Sequence, residues 1–222
     1  MARSPLQKAM PAPLSGADRP IVVKLGGSVI RSPELSAWLN AIAALTRQAI
    51  VVPGGGALAD EVRLCQRDLG FDDASAHRMA LLAMDQLAWA VAGMRAGLEV
   101  GTTEEALRDA LERGRVAVWA PYALLAGRSD IEESWRLTSD SLALWLAGKM
   151  QAAACYLVKS IERRHDRLGA AQLALDGVVD AAFPDMLRLT GVAAYLLGRG
   201  DQQAFAHARA PTSTEFAGAL ID

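Results

Sequence analysis

Lysine is scarce in this chain. Four occur, Lys8, Lys24, Lys149 and Lys159, against 19 arginines. Arginine is the default cation here, so each lysine raises the question of what a compact ammonium does that a guanidinium cannot. Cysteine is scarcer still. Cys65 and Cys155 lie far apart in apolar contexts, which argues against a disulfide framework and fits a reducing, cytoplasmic setting. The three histidines, His77, His165 and His207, have no ligand spacing with one another or with the cysteines, so no metal site built from them is expected. Charge of one sign is also missing. Twenty-three basic residues against 25 acidic ones leave a formal net charge of −2. That removes the basic excess of a dedicated nucleic-acid or anionic-membrane binder, and neither partner is expected. No apolar run approaches the roughly 20 residues that span a bilayer. Residues 1–20 contain Pro5, Pro11, Pro13 and Pro20 and no continuous apolar stretch, which reads as a flexible N-terminal arm and not a signal peptide.

The rest of the sequence, 21–222, is rich enough in apolar residues (52% of the whole chain) to bury a full core, and shows no internal linker or repeat. It reads as one domain. Ile21–Leu25 is a buried-strand pattern stopped by Gly26-Gly27-Ser28, and Ala49–Val52 is a second, stopped by Pro53-Gly54-Gly55-Gly56. Further strands are expected at 116–119, 155–158 and 193–197, with a last edge strand at 216–221. Helical patterns fall at 34–45, after Gly56, at 73–94, 104–113, 139–149 and 182–189. Strands alternating with helices make this an α/β fold with a mainly parallel central sheet covered on both faces. Ligands bind such sheets at the carboxyl ends of the strands.

Three of those ends carry chemistry. At Lys24-Leu25-Gly26-Gly27-Ser28 the glycines let backbone N–H groups approach a bulky anion, and a buried ammonium needs a partner such as a phosphoryl group. An ordinary turn with a solvated lysine is the competing reading. Gly54-Gly55-Gly56 sets bare backbone at the start of a helix, where three glycines in succession exceed what a tight turn needs. Lys159-Ser160 repeats the pattern of Lys24 at the end of another buried strand. In Trp135-Arg136-Leu137-Thr138-Ser139-Asp140-Ser141 the acid is either a first-turn residue favoured by the helix dipole or a group that holds lysines in register. Lys149 reads as a helix C-terminal charge. There is no G-x-x-x-x-G-K-[ST], no G-x-G-x-x-G with a following acid, and no Asp-Phe-Gly or His-Arg-Asp. P-loop, dinucleotide-binding and protein-kinase sites are thereby disfavoured.

Taken together, Val23–Ser28, Pro53–Gly56 and Thr138–Ala143 resemble the amino acid kinase superfamily. Within it, the stretches 52–63, 76–86, 134–141 and 176–184 resemble the (aminomethyl)furanmethanol-phosphate kinases of methanofuran biosynthesis. The resemblance implies a three-layer αβα sandwich and an ATP- and Mg2+-dependent kinase, with Lys24 and Asp140 as catalytic residues. It implies Lys24, Gly26, Gly27, Ser28, Lys159 and Ser160 around the nucleotide phosphates, and Gly54, Gly55, Gly56, Arg63 and His77 around the acceptor. A plain surface arginine and a satisfied helix histidine are the competing readings of the last two. The acceptor implied is a phosphate monoester, with Arg63, Arg78 and Arg136 as cations for it. A carboxylate acceptor, or a non-catalytic nucleotide-binding or storage role, is the alternative. The sequence departs from the superfamily at Val158–Glu162, where many members carry Asp-Gly-Val, and it lacks a late Gly-Gly-Met segment with its lysine. Lys159 is the later strand-end lysine left to take that place. A homo-oligomer is expected, with the long helix 73–94 read as an interface or as a core helix.

Overall fold

The computed structural model describes residues 19–162, 167–207 and 218–222; most of the expected arm, residues 1–18, lies outside them. In chain order the elements are β1 (Ile21–Leu25), α1 (Gly27–Ile30), α2 (Leu35–Ala43), β2 (Ala49–Pro53), α3 (Gly56–Leu69), α4 (Asp73–Gly93), β3 (Leu98–Gly101), α5 (Glu104–Glu112) and β4 (Val116–Trp119). They continue with α6 (Tyr122–Leu125), α7 (Ser139–Lys149), β5 (Ala154–Val158), β6 (Arg167–Leu168), α8 (Ala170–Leu175), α9 (Phe183–Thr190), β7 (Ala194–Leu197), α10 (Gln202–His207) and β8 (Ala219–Ile221).

The strands form one sheet in the order β3-β4-β2-β1-β5-β7-β8-β6. Every pairing is parallel except β7 with β8. The central strands β1, β2 and β5 are buried at every position, as expected where helices cover both faces. Alternation along β1 divides its side chains between two apolar clusters. Val22 packs with Ile50, Trp119 and the residues of α7 and α9. Ile21, Val23 and Leu25 pack with Trp38 of α2 and Phe205 of α10. Lys24 therefore points to the Val22 face, the one that α7 covers. α7 is buried from Asp140 through Ala147, so it lies in the core and shows no polar stripe.

The mainly parallel sheet with helices on both faces is as the sequence implies. Three details differ. β3 and β6 have no counterpart in the apolar pattern: β3 is half-buried and β6 is two residues long. β8 is an inner strand, because β6 pairs beyond it. The long helix α4 buries Leu81, Met84, Ala88 and Val91 while leaving Trp89 65% exposed, so it is amphipathic and not a fully buried core helix.

Candidate active site

Lys24 leaves β1 on the face covered by α7, and the first turn of α7 supplies its partner. Lys24 Nζ lies 2.6 Å from Asp140 Oδ1, with side chains only 4% and 6% exposed. Lys159, one residue past β5, donates from Nζ to Asp140 Oδ2 at 2.8 Å. β1 and β5 are neighbours, so two lysines far apart in sequence converge on one carboxylate. Burial alone would raise the Asp140 pKa, but the two ammonium groups hold it below the usual carboxylate range. Burial, reinforced by the like charge of Lys24, pushes Lys159 down to about 8, against the pull of Asp140. Two cations on one anion leave a surplus positive charge, which suits an incoming anion.

Asp180, just before α9, holds the start of α7. Its Oδ2 accepts from Thr138 N at 3.0 Å, Thr138 Oγ1 at 2.9 Å and Ser141 N at 3.0 Å, and its Oδ1 accepts from Ser141 Oγ. Thr138 itself makes no side-chain cap bond, so the cap comes from Asp180, 42 residues away. Burial raises the Asp180 pKa, with nearby Asp140 adding to the rise. The sequence reading missed this role. The segment 176–184 was visible as a resemblance, but nothing local ties Asp180 to α7.

The strand-end loops are joined backbone to backbone. Gly26 N donates to Val158 O at 3.0 Å, Gly54 N to Leu25 O at 2.9 Å and Lys159 N to Leu197 O at 3.0 Å. The amides of Gly26 and Gly54 are thus engaged by neighbouring strands and are not offered to a phosphate. A Cβ on Gly27 would meet Gly56 Cα at 2.6 Å, and one on Gly26 would meet Val158 O at 3.0 Å. The glycines are there because two backbones touch. Gly56 also has a positive φ of 51°, which glycine adopts without strain. Beyond these loops the Ser160 hydroxyl is buried without a partner.

A cavity of about 380 Å³ opens on the other side of the loops. Gly27, Ser28, Arg31 and Gly54–Gly56 line it near the strand ends, and Asp60, Arg63, His77 and Trp135 line it further along α3 and α4. Arg63 lies seven residues into α3 from Gly56, about 10 Å along the axis. It is no ordinary surface arginine. Its guanidinium carbon is 3.7 Å from the centre of the Trp135 ring, and the indole N–H donates to Gln66 Oε1 at 2.6 Å. His77 is 5% exposed with Nε2 unpartnered, so it is not the satisfied helix histidine either. Two expected acceptor cations are absent from the cavity wall. Arg78 makes a two-point contact with Glu133 at 3.2 and 3.1 Å. Arg136 pairs with Glu132 at 3.7 Å. Arg31 and Asp60, which the sequence reading did not single out, line the cavity instead. Lys24, Gly26, Lys159 and Ser160 lie outside its lining. The lysine cluster and the cavity therefore meet at Gly26-Gly27 and Ser139-Asp140.

Comparison with known proteins places this arrangement. The solved uridylate kinase of Archaeoglobus fulgidus superposes with a TM-score of 0.68 at 20% identity, covering 91% of this chain and 99% of that one. The aspartate kinase of Synechocystis superposes with a TM-score of 0.65 at 14% identity, over 91% of this chain and 39% of that one. The [5-(aminomethyl)furan-3-yl]methyl phosphate kinase of Methanocaldococcus jannaschii is 25% identical over 187 residues, 79% of this chain and 86% of its own length. The acetylglutamate kinase of Sorangium cellulosum is 45% identical over 60 residues, 26% of this chain and 21% of its own. The fold is thus that of small-molecule kinases built on a mainly parallel sheet. The model of the amino acid kinase family matches residues 19–163. The chain belongs to that family and is a kinase.

Proposed function

We propose that the chain transfers the γ-phosphoryl group of ATP to a small phosphate monoester, giving a diphosphate and ADP. The observation that carries this reading is the paired geometry of the site. A buried Lys24–Asp140–Lys159 cluster with a surplus cation adjoins a cavity whose wall holds Arg31 and Arg63. Neither arginine has an ion-pair partner among the described residues. An acceptor such as acetylglutamate spreads its negative charge over two separate carboxylates; a phosphate monoester concentrates up to two charges on one group, which suits a bidentate guanidinium better. The phosphate-monoester substrate named for the Methanocaldococcus relative agrees.

The residues fit a nucleotide triphosphate on the cluster side. Lys24 and Lys159 supply ammonium donors held by Asp140, the Ser160 hydroxyl lacks a partner, and Gly26 and Gly27 leave no room for a Cβ. Among the described residues no group of three or more His, Cys, Asp or Glu could hold a metal ion. A magnesium ion would enter with the nucleotide and supply charge neutralisation on its phosphates. In the reaction a phosphate oxygen of the acceptor attacks the γ-phosphorus in line. The bond to the β,γ-bridging oxygen breaks and ADP leaves with that electron pair. Lys24, at the boundary between cluster and cavity, stabilises the charge as it moves, and Asp140 keeps both lysines in register. Arg63, fixed over Trp135, holds the acceptor phosphate. Positioning and electrostatics suffice, and no nucleophilic side chain is required.

The test is ADP release from MgATP across three acceptor classes: furan-methanol phosphates, nucleoside monophosphates, and amino acids such as acetylglutamate. Turnover restricted to phosphate monoesters supports the proposal. Turnover on carboxylates alone, or on nothing, overturns it.

A further inference from the structure

Arg63 is exposed on α3, and an arginine so placed ordinarily samples many rotamers. Its stack on Trp135, with the guanidinium carbon 3.7 Å from the ring centre, removes much of that freedom. Trp135 belongs to no helix or strand. It lies in the irregular segment 126–138 between α6 and α7, so its own place has to be held by side chains. Two contacts hold it. The indole N–H donates to Gln66 Oε1 at 2.6 Å, and two residues earlier Glu133 accepts the two-point contact of Arg78 from α4. Gln66 is fastened at its other end. Its Nε2 donates to Asp73 Oδ1 at 2.7 Å and to the Phe71 carbonyl at 3.3 Å, where α3 turns into α4. Two acceptors on one side and an indole donor on the other fix which way the amide faces. The contacts run from Asp73 through Gln66 and Trp135 to Arg63, and the last two line the cavity.

We propose that Gln66 and Trp135 are positioning residues for the acceptor, acting through Arg63 to set the direction in which its N–H edge meets the acceptor phosphate. This rests on the phosphate-monoester reading above and deepens it. Bidentate recognition of a phosphate depends on the plane of the guanidinium fork as well as on its charge. A fork ordered before the acceptor arrives also loses less conformational freedom on binding it. The role belongs to acceptor binding. Charge developing on the γ-phosphoryl group falls to Lys24, so the two functions separate in the kinetics.

The experiment is steady-state kinetics with [5-(aminomethyl)furan-3-yl]methyl phosphate and a nucleoside monophosphate as acceptor probes. It uses the native chain, Trp135→Leu, Trp135→Phe, Gln66→Leu and the double variant of the last two. Trp135→Leu removes the ring and should raise KM for the acceptor roughly tenfold, the scale of one cation–π contact. Its kcat should change little, and KM for MgATP should hold, which also reports an intact fold. Trp135→Phe keeps a ring face without the N–H and should recover part of the loss. Gln66→Leu breaks the same hydrogen bond from the other side. Its effect on KM should match that of Trp135→Phe, and the double variant should lose no more than either alone. An acceptor KM unmoved in Trp135→Leu, or a loss confined to kcat, overturns the role of Trp135. Additive losses in the double variant overturn the link to Gln66. Both outcomes leave the phosphate-monoester reading standing. Turnover of neither probe by the native chain overturns that reading and this inference with it.

Discussion

Lys24 and Asp140, far apart in sequence, meet at 2.6 Å with both side chains almost fully buried. The pair joins the end of β1 to the start of α7, and Lys159 closes it from β5 at 2.8 Å. A buried ion pair is weak evidence for stability by itself, because desolvation offsets most of its attraction. Two lysines on one carboxylate make sense as a held place for an anion.

Lys24→Ala should lower kcat by roughly 10²–10³-fold, the usual cost of removing one donor to developing charge. The fold should persist, since Asp140 keeps Lys159 as a partner. Lys24→Arg should not restore the rate, because a planar guanidinium needs more room than the ammonium leaves between β1 and α7. Steady-state kinetics with circular dichroism on both variants checks this.

Asp140→Asn should be harsher on stability. It leaves two buried ammonium groups facing each other without their shared anion, and breaking a buried pair costs about 3–5 kcal/mol. Chemical denaturation measures the loss. The same variant should lower the Lys159 pKa further, because Asp140 is what now raises it.

The pH dependence follows from Lys159, which titrates near 8 against 10.5 for an ordinary lysine. Its charged form attracts the nucleotide, so kcat/KM for MgATP should be level below about pH 8. Above it, the value should fall about tenfold per unit. Lys159→Arg should remove that break while leaving any break due to the acceptor. The stability effect has the opposite sense. Between about pH 8 and 10.5 the unfolded chain binds more protons at this position, so its contribution to stability rises with pH. A pH series of denaturation midpoints reads it.

Asp180→Asn tests the remote cap. Asn keeps one acceptor oxygen where Asp180 uses two for four bonds around Thr138 and Ser141. A cap of this kind is worth about 1 kcal/mol. The expected result is a modest fall in melting temperature with a larger fall in kcat, since Asp140 sits in the turn being held. KM for the acceptor should change little. Equal losses in both parameters would mark Asp180 as merely structural.

Much of this was readable before the structure, for physical reasons that differ by element. β1, β2 and β5 announce themselves because parallel central strands are continuous apolar runs, and glycines mark where they stop. β3 was hidden because a half-buried strand with Glu99 in it has neither an apolar run nor clean alternation. The importance of Lys24 and Lys159 showed in their rarity and strand-end placement, but their meeting at Asp140 is a property of sheet order. Arg78 and Arg136 were chosen as acceptor cations for being near the motifs in sequence. Arg136 is engaged by Glu132, four residues before it in the chain, and Arg78 by Glu133, 55 residues away; only the second pairing has no signature in a linear pattern. Arg31 was passed over for the converse reason: it follows the glycine loop without belonging to any motif. The trans cap from Asp180 is long-range and could not be read locally at all.

Phosphoryl transfer to a phosphate at the boundary between the lysine cluster and the cavity is the central claim. Phosphorus-31 NMR of MgATP mixed with [5-(aminomethyl)furan-3-yl]methyl phosphate reads that event directly. With the native chain, the monoester signal should give way to the paired resonances of a diphosphate as ADP accumulates; with Lys24→Ala it should persist. An unchanged monoester signal with the native chain, or equal diphosphate formation by the Lys24→Ala variant, would contradict the account.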